Sequence, residues 1–274
     1  LTNQHAVDDF FLRNAFDEVY QLAADMGGAD YIFTGDNDLE IMTRSMQINL
    51  NVIDAVRAYN VPKIFYSSSA CVYSEDKQLD KNNIDCRESA AYPANPDSEY
   101  GWEKLFSERL YQNLHKHTNT QVRIARFHNI FGPSSEYDSG REKAPAALCR
   151  KVALCPNGGS IDVYGSGEQV RSFMFISDCL DCVEDLMLSG YSAPVNIGSD
   201  YTISINDLAK KIIAISGKSI TINNIDVPQT GVVARTSDNE LFDRMVGTPR
   251  KVGLPDGLEK LYRWIDNQVN GFTS

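Results

Sequence analysis

Residues 63–69, "KIFYSSS", are typical of a buried strand, and the segments around them repeat the alternation of strand and helix. A helix is predicted over 99–117, "EYGWEKLFSERLYQNLHKH", and another strand over 121–127, "QVRIARF". A strand at 18–24 precedes them, followed by a helix at 41–59 whose apolar residues recur at helical spacing. Strands separated by amphipathic helices form right-handed crossovers, so the sequence predicts an α/β fold with a doubly wound parallel sheet. In such sheets ligands bind at the carboxyl ends of the strands.

The sequence changes character after about residue 130, where loops rich in Gly, Ser and Pro separate shorter elements. We therefore expect residues 1–135 to form the sheet domain and 136–274 to form mainly a smaller α/β lobe, with some exchange of chain between the two. The later elements are predicted as helices at 143–153, 178–189, 204–216 and 256–269 and strands near 161–164, 195–197 and 219–222.

The composition excludes several classes of partner. A net charge of −11 over 274 residues argues against nucleic acid, though not against a few arginines around one small phosphorylated ligand. No apolar run approaches the roughly 20 residues that span a bilayer, so no membrane segment is expected. The six cysteines are scattered, which favours reduced thiols and a cytoplasmic protein. Cys179 and Cys182 form a lone C-x-x-C pair, for which we expect no metal.

The first candidate for chemistry is the pair Tyr100 and Lys104, which are four residues apart and so project from one face of the predicted helix. A lysine ammonium beside a phenol favours the phenolate, so we expect a lowered pKa for Tyr100 and a role as general base. Ser69, at the end of the preceding strand, offers a hydroxyl for the same substrate oxygen. A Y-x-x-x-K spacing alone occurs often by chance, and its context decides its meaning.

That context, a strand, a serine-rich loop and a Y-x-x-x-K helix in this order, resembles the extended short-chain dehydrogenase/reductase family. The resemblance implies a Rossmann-like fold in which residues 1–135 are part of an NAD-binding domain and 136–274 mainly a nucleotide-sugar lobe. It also implies a catalytic set of Ser69, Tyr100 and Lys104, with Tyr100 and Lys104 also binding the cofactor. Ala23 and Ala24, small residues at the end of the first strand, would make room for the nicotinamide.

Within this family several segments are similar to the GDP-mannose 3,5-epimerases. They are "LAADMGG" (22–28), "SSACVY" (68–73), "GREKAPAALCRK" (140–151), "VRSFMFI" (170–176) and "RTSDN" (235–239). The resemblance implies NAD as cofactor, GDP-mannose as substrate, GDP-L-galactose as product and a transient 4-keto sugar. It also suggests a homodimer formed through the helices at 41–59 and 99–117.

The same resemblance assigns Cys71 and Lys143 to proton exchange at C3 and C5 of the sugar. A thiol has a reference pKa of about 8.5 and needs little help to titrate near neutrality. A lysine reaches that range when desolvated or near another cation, and Arg141 is close in sequence. The alternatives remain that Cys71 is a small core residue and Lys143 a solvated surface residue.

The substrate-binding residues implied by the resemblance lie in both halves of the chain. Arg171 and Arg235 are the candidates for the diphosphate, because guanidinium groups suit phosphate oxygens. One departure is Ser45, where many family members have an asparagine near the cofactor. The full set is Gly27, Ser69, Ala70, Cys71, Asn129, Glu142, Lys143, Ala144, Lys151, Gln169, Arg171 and Arg235.

A Gly-rich phosphate-binding turn does not follow an early strand in this sequence. Because a dinucleotide-binding half-sheet begins with strand, Gly-rich turn and helix, we expect roughly 75 to 80 family residues to precede Leu1. We also expect the chain alone to bind NAD poorly and to be inactive or unstable. Two alternatives therefore remain open: a 4-epimerase or 4,6-dehydratase acting on another nucleotide-sugar, and a non-catalytic fragment.

Overall fold

The computed structural model describes residues 1–226 and 231–271. Its helices and strands alternate along the chain. In chain order they are α1 (Gln4–Arg13), β1 (Glu18–Gln21), α2 (Ala29–Ile32), α3 (Asp38–Ala58), β2 (Lys63–Ser69), α4 (Glu99–His117), β3 (Gln121–Phe127), β4 (Ile130–Phe131), α5 (Ala144–Leu154), β5 (Ser160–Tyr164), β6 (Val170–Ser172), β7 (Met174–Phe175), α6 (Ile176–Leu188), β8 (Pro194–Ile197), β9 (Thr202–Ser204), α7 (Ile205–Ser216), β10 (Thr221–Ile225), β11 (Ala234–Arg235), α8 (Glu240–Met245) and α9 (Leu254–Asn270).

Four parallel strands form the main sheet, in the spatial order β1, β2, β3 and β8. Lys63 of β2 pairs with Glu18 on one side and Gln121 on the other, and Ile124 of β3 pairs with Pro194 of β8. The predicted doubly wound α/β fold is thus confirmed. The later part of the chain also contributes a strand, β8, to this sheet.

The first strand is shorter than predicted: it ends at Gln21, whereas the sequence predicts an end at residue 24. The Gln21 side chain donates to the carbonyl of Ala23 (3.0 Å) and accepts from its N–H (3.1 Å). These bonds satisfy the backbone of Ala23 locally, so Ala23 and Ala24 lie in the loop after the strand. The strand predicted near 219–222 is also displaced and spans Thr221–Ile225.

Alternate residues of β2 face the two sides of the sheet, as the strand period requires. Ile64 packs with Val56 of α3 and Leu114 of α4 on one side. Phe65 packs with Leu186 of α6 on the other. The sheet is therefore covered by helices on both faces, which explains why the interior residues of β2 and β3 are all buried.

The smaller lobe has its own apolar core, built by α5, α7 and α9 together with β5. Leu148, Ile212, Leu258 and Leu261 are among its buried residues. Three short sheets accompany this core in the described residues: β10 with β5, β11 with β6 and β9, and β4 with β7. Among the described residues no helix is long and apolar enough to cross a bilayer.

A buried ion pair joins α4 to β3 beneath the carboxyl ends of the strands. Arg126 Nε and Nη2 donate to the two carboxylate oxygens of Glu108 at 2.9 and 2.8 Å, and both side chains are 3% exposed. Ser68 Oγ donates to the same carboxylate at 2.5 Å. The pair therefore connects β2, β3 and α4 at one point.

We predict that Arg126→Met destabilises the protein by about 3 to 5 kcal/mol, because it leaves the Glu108 carboxylate buried and unpaired. The free energy of unfolding, measured by urea denaturation, checks this. Arg263→Met is the matched control, since Arg263 pairs with Glu259 on the exposed surface of α9 and should cost less than about 1 kcal/mol. Equal losses in the two variants would contradict the prediction.

Candidate active site

The site begins where β2 ends. Ser69 is extended, and the chain then forms a short 3₁₀-helix at Ala70–Val72. The Ser69 hydroxyl accepts a hydrogen bond from the N–H of Cys71 at 3.2 Å and so caps this turn. The serine and the cysteine of "SSSAC" are thereby held beside each other at the carboxyl edge of the sheet.

The N-terminal end of α4 packs directly onto this turn. A Cβ on Gly101 would lie 2.2 Å from the carbonyl oxygen of Cys71, so only glycine permits the approach. Ser98 caps the helix by accepting from the Gly101 N–H at 3.2 Å. Tyr100, one residue earlier, is thus brought to the end of β2.

Tyr100 is buried, with 5% of its surface exposed, and its phenol lies near the Ser69 hydroxyl. Burial raises the pKa of the Tyr100 phenol, and a negative charge on Cys71 acts in the same direction, whereas the Ser69 hydroxyl lowers it. The expectation of a lowered pKa is therefore wrong for the chain's own residues. Desolvation of the phenolate outweighs the effect of the nearby cation.

Lys104 lies under Tyr100 on the same face of α4, as the spacing predicted. Its Nζ donates to the carbonyl of Ser67 at 2.8 Å and is 5.7 Å from the centre of the Tyr100 ring. The ring of Tyr66 is closer, at 4.9 Å. Burial lowers the pKa of Lys104, and the nearby carboxylates Glu103 and Glu108 oppose this.

Arg235 holds the sulfur of Cys71. Its Nη1 donates to Cys71 Sγ at 3.0 Å, its Nη2 donates to Asp97 Oδ2 at 2.7 Å and its Nε donates to Gln78. The sequence analysis predicts this arginine at the substrate diphosphate, and in the structure its side chain bonds to Cys71, Asp97 and Gln78. Asp97 and Gln78 were missed by the sequence analysis, since no local pattern distinguishes them.

Arg171 lies next to Arg235, because the two residues are register partners on β6 and β11. Its guanidinium donates to the carbonyls of Val232 (2.7 Å) and Val233 (3.3 Å). Burial lowers the pKa of Arg171 to about 10, and the positive charge of Arg235 contributes. Asp97 pairs with Arg235, so the two guanidinium groups and this carboxylate together carry one net positive charge.

Lys143 precedes α5 and its side chain is exposed. The protein around it still lowers the pKa of Lys143 by desolvation, and the neighbouring Cys71 and Cys179 oppose this. The structure thus brings Lys143 within electrostatic range of Cys71. The surface interpretation fits the accessible area of Lys143 but not the environment of its charge.

Two predicted residues end in buried acceptors without a hydrogen-bond partner among the described residues. These atoms are Glu142 Oε2 and Gln169 Oε1. Asn129 has a left-handed backbone (φ 48°) and donates from Nδ2 to the carbonyl of Ser172 at 3.0 Å. Buried acceptors of this kind are suited to ligand hydroxyl or amine donors.

The remaining predicted substrate-binding residues are Gly27, Ala70, Ala144 and Lys151. Ala70 is buried in the 3₁₀-helix, and Ala144 begins α5. Gly27 makes room for the Tyr31 side chain, which a Cβ would approach to 2.6 Å. Lys151 is engaged at β5, where its Nζ donates to the carbonyl of Asp162 at 2.7 Å and lies 4.6 Å from the Tyr164 ring centre.

Metal chemistry was not expected from the cysteines. Within 1–226 and 231–271, no group of three or more His, Cys, Asp and Glu side chains could hold a metal ion. Cys179 and Cys182 lie buried on α6 as free thiols. Both belong to the apolar core on that face of the sheet.

Comparison with solved structures identifies the fold. UDP-glucose 4-epimerase from Thermotoga maritima superposes with a TM-score of 0.85 at 19% identity, covering 98% of this chain and 83% of that one. UDP-glucose 4-epimerase of Thermus thermophilus, solved in complex with NAD, gives a TM-score of 0.83 at 16% identity, covering 98% and 83%. At these identities the likeness concerns the fold alone.

Comparison of sequences is more specific. GDP-mannose 3,5-epimerase of Arabidopsis thaliana is 42% identical over 253 residues, covering 92% of this chain and 66% of that protein. GDP-mannose 3,5-epimerase 1 of Oryza sativa subsp. indica is 39% identical over 284 residues, covering 97% and 74%. The chain therefore spans between 66% and 74% of the length of these relatives.

The resemblance inferred from the motifs is confirmed by these identities. Residues 1–198 also match the model of the NAD dependent epimerase/dehydratase family. The parallel sheet, the Tyr100–Lys104 pair at its carboxyl edge and the sequence relationships agree: this chain belongs to the NAD dependent epimerase/dehydratase family.

Proposed function

We propose that the protein carrying this chain is an NAD-dependent isomerase that epimerises GDP-mannose at C3 and C5, giving GDP-L-galactose. The observation that carries the proposal is that Cys71 packs in the same cluster as Tyr100, with its sulfur bonded to Arg235, and that Lys143 is near enough for its charge to act on Lys104 and Cys71. A thiol and an amine beside a phenol supply proton-transfer groups additional to those that oxidation at one carbon needs. The similarity to plant proteins of that name supports the same conclusion.

The chain's residues fit the nicotinamide end of NAD. Lys104 uses one of its ammonium hydrogens on the carbonyl of Ser67, and an ammonium has three donors, so others remain for sugar hydroxyls of the cofactor. Ala23 and Ala24 present small, half-buried side chains after β1. When bound, NAD supplies a hydride acceptor and donor, and its oxidised ring adds a positive charge that favours the phenolate of a nearby tyrosine.

Tyr100 is the proposed general base for the 4-hydroxyl of the hexose. Its hydroxyl lies near that of Ser69, and this serine would bind the same sugar oxygen. Lys104 stabilises the phenolate electrostatically from below. When the 4-ketone is reduced again, Tyr100 returns the proton to the oxygen.

Cys71 and Lys143 are the proposed acid–base pair for C3 and C5. Both carbons are adjacent to the 4-ketone, which makes their C–H bonds acidic. One group removes a proton from one face of the ring, and the other delivers a proton to the opposite face. Arg235 would stabilise the sulfur in its anionic form, because its guanidinium already contacts Sγ at 3.0 Å.

The substrate diphosphate is proposed to bind near Arg171 and Arg235. A guanidinium has five N–H donors, so the bonds of Arg235 to Gln78, Cys71 and Asp97 leave donors for a further ligand. The adjacency of the two cations favours an anion between or beside them. Glu142 and Gln169 offer acceptors for sugar or base hydrogens.

We also propose a cytoplasmic homodimer. All six cysteines are free thiols, which suits a reducing compartment. Leu50 on α3 and Trp102 and Phe106 on α4 are exposed apolar residues. Such residues on the two helices favour packing against the same helices of a second subunit.

The proposed function predicts that deuterium from heavy water enters GDP-mannose at both C3 and C5. The test uses protein expressed from the complete coding sequence, with products analysed by NMR. Cys71→Ser or Lys143→Ala should slow this exchange at least about 100-fold, because each removes one proton-transfer group, while C4 oxidation remains detectable as reduced nicotinamide. Tyr100→Phe should stop both steps.

Lys116→Ala is the matched control, since Lys116 is an exposed lysine in the last turn of α4, and it should behave as wild type. Exchange at neither carbon by folded, NAD-loaded protein would contradict the proposal. Inversion at C4 without exchange at C5 would instead identify a 4-epimerase.

A separate prediction concerns the accessibility of the Cys71 sulfur. Cys71 is half-buried, whereas the other five cysteines are buried. Iodoacetamide should therefore modify the native protein at Cys71 first, as mass spectrometry of tryptic peptides would show. Cys71→Ser should remove this early labelling and leave denatured-state labelling of the other five intact; early labelling of a buried cysteine would contradict the structure.

A further inference from the structure

We infer that Asp25, Tyr31 and Arg141 form a clamp that positions Lys143 against Cys71, and that Tyr31 and Arg141 are positioning residues of the proposed reaction. The inference rests on the proposed function for the role of Lys143. The clamp itself is defined by contacts between two segments that are far apart in sequence: residues 25–31, after β1, and residues 141–143, before α5.

The three side chains of the clamp form a triangle of contacts, and Arg44 also donates to Asp25 Oδ2 at 3.3 Å. Asp25 Oδ1 accepts from the Tyr31 hydroxyl at 2.8 Å and from Arg141 Nη1 at 3.2 Å. Arg141 Nη2 donates to the Tyr31 hydroxyl at 3.1 Å, and the Arg141 guanidinium carbon lies 4.0 Å from the Tyr31 ring centre. Each member therefore contacts the other two, so the loss of one group weakens the whole set.

The Asp25 end of the clamp is fixed to the sheet domain. The Asp25 N–H donates to the hydroxyl of Ser45 on α3 at 2.9 Å, and Ser45 is fully buried. The Asp25 side chain is only 7% exposed. Ser45 was noted as a departure from the family pattern near the cofactor, and its contact gives it a defined role in holding this loop.

A backbone contact reinforces the side-chain contacts. A Cβ on Gly28 would lie 2.3 Å from the carbonyl oxygen of Glu142, so the two segments touch main chain to main chain. Glu142 is between Arg141 and Lys143. The segment is therefore held by the residue before Glu142 and by the carbonyl of Glu142 itself.

Lys143 is constrained from its other side as well. Its carbonyl accepts from the N–H of Ala147 in the first turn of α5 at 3.0 Å. Two residues of extended chain reach about 7 Å at most, so fixing Arg141 and α5 leaves Lys143 little freedom. The position of the Lys143 ammonium is then decided chiefly by its side-chain torsions.

The clamp also shares an apolar cluster with the other half of the proposed acid–base pair. Tyr31 and Cys71 both pack against the cluster that contains Tyr100. The Tyr31 ring thus belongs to the same cluster as Cys71, while its hydroxyl contacts Arg141 of the Lys143 segment.

The test separates proton exchange from hydride transfer. Tyr31→Phe keeps the ring and the charge balance but removes the hydroxyl from both hydrogen bonds of the clamp. Because a misplacement of 1 Å can cost about 100-fold in rate, we expect exchange at C3 and C5 to fall about tenfold or more. C4 oxidation and the KM for GDP-mannose should stay within about twofold of wild type, since Tyr100, Lys104 and Ser69 are untouched.

Arg141→Lys provides a second variant that retains the positive charge near Lys143. Lysine lacks the planar fork that contacts Asp25 and Tyr31 together, so the same selective loss of exchange is expected. The control variants are Tyr59→Phe, which removes a matched tyrosine–aspartate bond to Asp8 (3.0 Å), and Arg57→Lys at the exposed pair with Asp54. Both should exchange as wild type.

Hydrogen–deuterium exchange of the backbone, followed by mass spectrometry on the uncomplexed protein, tests the clamp without any reaction. The backbone amides of residues 139–144 should exchange faster in Tyr31→Phe than in wild type. Their exchange rate in Tyr59→Phe should equal that of wild type. If the wild-type protein incorporates no deuterium at C3 and C5 of GDP-mannose, the proposed function fails. The exchange of backbone amides still decides whether the clamp exists. Unchanged backbone exchange, or equal losses of C4 oxidation and of C3 and C5 exchange in Tyr31→Phe, would overturn the inference.

Discussion

The approach of α4 to the carbonyl of Cys71 sets the spacing of the proposed catalytic groups. Gly101 permits this approach because it has no Cβ; a Cβ at this position would clash with that carbonyl oxygen. Tyr100 consequently reaches Ser69, and Lys104 reaches the carbonyl of Ser67. Three groups with different chemistry are thus placed by one helix resting on the end of one strand. The buried pair of Glu108 and Arg126 holds the same helix in register farther along.

Most of the fold could be predicted because its signals are local. The strands at 63–69 and 121–127 and the helix at 99–117 have clear apolar patterns, and their predicted bounds agree with the structure. The spacing of Tyr100 and Lys104 is likewise a local property of a helix. The end of β1 was misjudged because a single side chain, that of Gln21, terminates the strand by bonding to its own neighbour.

The site could be predicted only in part, because its decisive contacts join residues distant in sequence. Arg235 reaches Asp97 and Gln78, which are 138 and 157 residues away along the chain. The direction of the Tyr100 pKa was also wrong, since the sequence shows a neighbouring lysine but not how much protein surrounds the phenol. Burial is a property of the assembled fold, and here it exceeds the effect of one nearby charge.

The contact between Gly28 and the Glu142 carbonyl has a consequence for how such a sequence can diverge. Both partners are main-chain atoms, so no change of a neighbouring side chain can compensate for a methyl group at residue 28. Residue 28 is therefore restricted to glycine by the backbone of a distant segment. This restriction is independent of which sugar the protein binds.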